Sequence, residues 1–121
     1  MSWKFNGERA IYLQIAEHIK TDILRGTYPP GSQLPTVREL ALEASVNPNT
    51  MQRAFLELEG SGLVSAQRTA GRYVTEDTSL LEDIRVSMAQ KLAADFLNQI
   101  ASLGFNCSEA VELLQEQGGR E

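Results

Sequence analysis

A chain of 121 residues has room for one compact domain and an appendage, and at 42% hydrophobic residues it is too apolar for disorder and too evenly mixed to span a membrane. The net charge of −5 argues against nucleic acid only as an average: residues 1–74 hold eight Lys/Arg against seven Asp/Glu, residues 75–121 three against nine. One cysteine, Cys107, excludes an internal disulfide framework and a cysteine-based zinc site, and fits a reducing, cytoplasmic setting.

Met1–Glu8 carries one cation and no apolar stretch follows it, so no secretory leader is expected. From Ala10 to Arg25, Ile11, Ile15, Ile19 and Ile23 recur in steps of four and predict a helix with Gly26 as its C-cap. Thr27–Gln33 contains Pro29-Pro30-Gly31 and reads as a turn into a short extended piece at Gln33-Leu34. Thr36 and Glu39 then have the spacing of a capping box, and Val37, Leu40, Ala41 and Ala44 form the apolar stripe of a short second helix. After Ser45-Val46, Asn47 is a suitable N-cap and Pro48 suits the first helical position, so a third helix is expected to about Glu59. Its buried stripe is Met51, Ala54, Phe55 and Leu58, and Gly60 and Gly62 end it.

Two short helices joined by a tight turn form a helix-turn-helix pattern. Leu63–Ala66 and Arg72–Val74 follow as two short strands around a turn at Thr69-Ala70-Gly71, the wing of a winged helix. Leu81, Ile84, Met88, Leu92, Phe96, Ile100 and Leu103 then predict one helix of about 24 residues, roughly 36 Å long, ended by Gly104. Asn106 and Glu109 make a second capping box before a last helix through Val111, Leu113 and Leu114. The expected fold is mainly α with a small β-wing. A winged helix-turn-helix head over residues 1–76 precedes a two-helix dimerisation segment over 77–121.

Asn49, Thr50, Gln52 and Arg53 project away from the buried stripe of the third helix, at its N-terminal end. Asn and Gln can pair with adenine and Arg with guanine, while Thr can meet a thymine methyl or a phosphate. The plain alternative is a solvated face with Arg53 paired to Glu57, and Leu56 near Gln52 interrupts a wholly polar surface. Arg38 lies in a helix first turn, where the dipole disfavours a cation, so an external phosphate is expected there; a pairing with Glu39 or Glu43 is the alternative. Arg68 and Arg72 flank the hairpin turn and reach for the DNA backbone or minor groove, or are ordinary strand-end charges. His18 is expected to be a partly exposed surface residue, and Cys107 a semi-buried thiol rather than a redox sensor. No catalytic set, metal cluster or phosphate loop is found, so neither an enzyme nor a cofactor is expected. The seven large residues of the long helix exceed what the head can cover, which points to a symmetric partner; the alternative folds that helix back on the head.

The chain resembles the GntR family of bacterial transcription regulators. The resemblance runs through Ile11–Ile15, Pro30–Ala41, Val46–Ala54, Leu58–Val64 and Gly71–Val74; Asn47-Pro48-Asn49-Thr50 and the short tail are similar to the YtrA-type subfamily. It implies a winged-helix dimer, usually a repressor, often linked to transporter operons, with DNA contacts on Arg38, Asn49, Thr50, Gln52 and the wing around Gly71. Many family members have Arg where this chain has Pro48 and Gln52, and Gly-x-Gly where it has Thr69-Ala70-Gly71 with a cation moved to Arg72. The expectation is a cytoplasmic homodimer on an inverted-repeat operator in double-stranded DNA, nucleoid-associated when bound, with its effector unknown. A protein-interaction winged helix, or a small enzyme or redox sensor on Cys107 or His18, are the rival functions.

Overall fold

The computed structural model describes residues 3–67 and 71–118. The elements run α1 (Ile11–Arg25), α2 (Val37–Ala44), α3 (Pro48–Gly60), β1 (Val64–Gln67), β2 (Gly71–Val74), α4 (Thr78–Ala101) and α5 (Cys107–Gly118). They form two compact units, residues 1–82 and 83–121.

In the first unit, α1 and α2 both end in Schellman turns. Gly26 takes φ 88° while Thr27 N–H bonds Asp22 O at 2.9 Å and Gly26 N–H bonds Ile23 O at 3.1 Å. At the end of α2 the left-handed position is held by Ser45 at φ 58°, with Val46 N–H on Ala41 O at 3.0 Å. A serine accepts this conformation at a cost of about 1 kcal/mol, and in return the chain reverses within two residues to start α3. The predicted capping box at α2 is complete: Thr36 Oγ1 accepts Glu39 N–H, and Glu39 Oε1 accepts Thr36 N–H, both at 3.1 Å.

The core beneath these helices joins Ile15, Ile19 and Ile23 of α1, Leu40 of α2, and Met51, Phe55 and Leu58 of α3 to Leu63, Val64 and Val74 of the hairpin. Each such side chain stabilises the unit by roughly 1.5–3 kcal/mol on burial. The strands pair antiparallel with Val64 opposite Val74 and Gln67 opposite Gly71. The first strand is shifted by one residue from its expected place and the second begins one residue earlier, because pairing register rather than apolar content sets the ends. The segment around Gln33 adds a third rib: Gln33 bridges Tyr73, Leu34 N–H bonds Arg72 O at 2.9 Å, and Val74 N–H bonds Ser32 O at 2.8 Å. The expected turn residues Thr69 and Ala70, and Arg68 beside them, lie outside the described residues.

The long helix starts three residues before Leu81, because Asp77 caps it: its Oδ1 accepts Leu80 N–H at 3.0 Å. Its first turn belongs with the first unit, where Leu81 is 9% exposed. In the second unit, Gly104 at φ 94° turns the chain and Asn106 with Glu109 forms the second expected capping box, each bond 2.9 Å. Ala110 is fully buried, yet Val86, Leu92, Leu97, Leu103, Phe105, Val111 and Leu114 stay exposed. At about 100° per residue, Val86 and Leu97 lie roughly 140–160° round the helix from Leu81, so the apolar surface of α4 is wider than the predicted stripe.

Candidate nucleic-acid interface

The start of α3 is built by its own cap. Asn47 Oδ1 accepts Asn49 N–H at 2.7 Å, and Pro48 supplies a helical φ where no N–H is needed. With Met51, Ala54, Phe55 and Leu58 buried, the opposite face is free: Asn49 and Arg53 are exposed, and Thr50 and Gln52 are half-buried. Leu56 shares this face and is exposed. Arg38, in the first turn of α2, is exposed and lines one surface groove with Leu42, Val46 and Pro48, which puts that cation beside the start of α3.

Two of the arginines are engaged within the head. The Arg53 guanidinium carbon lies 4.0 Å from the centroid of the Tyr12 ring. Arg72 forms a part-buried ion pair through Nε with Glu59 Oε1, and its guanidinium carbon sits 5.1 Å from the Phe55 ring. Arg72 is therefore turned inward, latching β2 to the end of α3, rather than pointing outward as its place beside the hairpin turn suggested. Gly71 takes φ 85°, a conformation that a residue with a side chain rarely adopts, and a Cβ there would also stand 3.2 Å from Gln33 Nε2. Tyr12 and Glu59 were not among the expected site residues. Glu59 lies 13 residues from Arg72, and only the hairpin register brings them together.

Gln14 ties the N-terminal segment to α1. It accepts Asn6 N–H at 2.9 Å and donates from Nε2 to Asn6 O and Arg9 O at 2.9 and 2.8 Å. That segment lays Trp3 flat on His18, ring centroids 3.9 Å apart, so His18 is more enclosed than its sequence position implies. Beneath it Asp22 is buried, with His18 Nε2 3.7 Å from Oδ2 and no hydrogen-bond partner for Oδ1 among the described residues. Burial pushes this carboxyl above its ordinary 3.8, against the pull of His18 and Arg25. Cys107 is exposed, not semi-buried. Among the described residues there is no group of three or more His, Cys, Asp or Glu placed to hold a metal ion, and no helix long and apolar enough to cross a membrane.

A capped helix-turn-helix with a rooted β-wing defines a winged-helix DNA-binding regulator. Residues 11–74 match the family described as bacterial regulatory proteins, gntR family, and the chain belongs to it. It is 34% identical to the HTH-type transcriptional regulator YhcF of Bacillus subtilis, across 93% of both chains. It is 39% identical to the HTH-type transcriptional repressor YtrA of the same organism, over 68% of this chain and 65% of that one. Among solved structures, a GntR family transcriptional regulator from Listeria monocytogenes superposes with a TM-score of 0.88 at 37% identity, over 93% of this chain and 98% of that one. The DNA-binding domain of AraR, in complex with operator ORX1, gives a TM-score of 0.54 at 27% identity over 60% and 93%. These relatives are transcription regulators, not enzymes.

Proposed function

We propose that the chain is a cytoplasmic repressor that binds an inverted-repeat operator as a homodimer, bringing two α3 helices into successive major grooves about 34 Å or a multiple apart. The observation that carries this is the capped start of α3, which displays Asn49 and Gln52 with Arg38 alongside. In this reading Asn49 and Gln52 face base edges, Thr50 and Arg38 meet phosphates, and Gly71 lets the wing backbone approach the duplex. Arg72 acts indirectly, through the latch to Glu59. The dimer interface is formed by Ile84, Met88, Leu92, Phe96, Ile100 and Leu103, whereas Leu81 is spent on the head. Bound at a promoter, often that of a transporter operon in proteins this chain resembles, the dimer obstructs polymerase. The relatives that are a named repressor and an operator-bound domain support this reading.

The test is selection from a random duplex pool, with the mass of the protein in solution measured alongside. The expected result is an inverted repeat bound by a species of twice the chain mass. Arg38→Ala is then expected to weaken binding to all sequences and to flatten the salt slope by about one unit, and Gln52→Ala to relax base preference at one position. A monomer that enriches no motif at low salt would overturn the proposal.

A further inference from the structure

Arg53 is exposed, yet its head group is not loose. Its guanidinium carbon lies over the half-buried Tyr12 ring of α1, 4.0 Å from the centroid. Among the described residues no ion pair joins it to Glu57, one turn further along α3. A guanidinium that rests on an aromatic ring by its face keeps its in-plane N–H donors for the oxygens of a phosphate. Arg53 is also the sixth residue of α3. It stands just over one turn beyond Asn49 along the helix.

We infer that Arg53 contacts a backbone phosphate and that Tyr12 is a positioning residue for DNA recognition, holding the arginine in its bound rotamer before DNA arrives. This rests on the DNA-binding reading above. An unsupported arginine loses much rotamer freedom when a phosphate fixes it, whereas one already stacked on an aromatic face loses less. The contact also ties α3 to α1, which packs chiefly against it, so the phosphate would set the angle at which α3 meets the groove.

The test uses the full chain and its selected operator, with affinity measured across a salt series for the parent, Tyr12→Leu, Tyr12→Phe, Arg53→Ala and the Tyr12→Leu/Arg53→Ala double variant. Arg53→Ala is expected to weaken binding roughly tenfold and to lower the salt slope by about one unit. Tyr12→Leu should weaken binding about two- to fivefold with the slope kept, since the charge remains. Tyr12→Phe retains the aromatic face and should bind like the parent. In the Arg53→Ala background, Tyr12→Leu should cost nothing more. An equal Tyr12→Leu loss in both backgrounds, or a parent-like slope for Arg53→Ala, overturns the inference. If Tyr12→Leu is unfolded by circular dichroism, the Arg53→Ala slope decides alone. Failure of the parent to select any duplex would instead strike the DNA-binding reading.

Discussion

Asp22 shows what a single side chain costs when its surroundings do not answer it. It is 4% exposed, one carboxylate oxygen has no partner among the described residues, and His18 stands beyond hydrogen-bond reach of the other. The folded carboxyl therefore keeps its proton to higher pH than the unfolded one. The stability this gives is fully present below 3.8 and is lost as pH rises through the raised value. Asp22→Asn keeps the shape without the ionisation, so it is expected to melt above the parent at neutral pH, with the gain shrinking as the solution is acidified. Thermal melts across that range check this, and identical pH dependence in the two proteins would refute it. Nothing in the helical spacing of residues 11–25 announces this cost. The stripe of isoleucines is plain, but the lid of Trp3 that encloses His18 depends on the clip made by Gln14.

At the scale of elements, the helix-turn-helix is governed by its ends. Arg38 occupies the turn that Thr36 caps, so loosening that turn should blur its proposed phosphate contact as well as weaken the fold. Thr36→Ala is expected to destabilise the protein by about 1 kcal/mol and to reduce operator affinity. Urea unfolding and a binding titration measure the two effects, and an unchanged midpoint would show that the cap is replaceable. This level is where the sequence was most readable. Capping boxes, Asn47-Pro48 and Gly26 act on neighbours a few residues away, and the helices they bound lie where expected. The exception is the start of α4, where Asp77-Thr78-Ser79 has a polar look but works as a cap and first turn. The pairs that shape the candidate site, Arg72 with Glu59 and Arg53 with Tyr12, join separate elements. Their partners were invisible because local spacing carries no information about packing between elements. A sequence can place an arginine on a face, but only the fold determines whether its head group is already engaged.

For the whole molecule, the second unit exposes a set of large apolar side chains. Leu92 is 68% and Leu103 74% exposed, and five other large apolar residues of that unit join them. Scattered single leucines are ordinary, but seven large apolar residues on α4, α5 and the turn between them give the proposed dimer a surface to cover. In the proposed dimer, Leu92→Glu with Leu103→Glu sets charge against charge across the two-fold axis. The expected outcome is a monomer by sedimentation, with inverted-repeat affinity lowered by about 10²–10⁴ toward that of one half-site. A dimer that survives both changes would move the interface elsewhere.

The near balance of cations and acids in residues 1–74 bears on how the head would behave among a whole chromosome of decoys. Affinity for random DNA comes almost entirely from displaced counterions. A head with eight cations and seven acids displaces few of them without specific contacts. If the proposed DNA-binding reading holds, such a regulator would be held only weakly by bulk genome, and more of its copies would stay free in solution. A small number of molecules per cell would then suffice to keep one promoter occupied, and a modest change in copy number would be felt there directly.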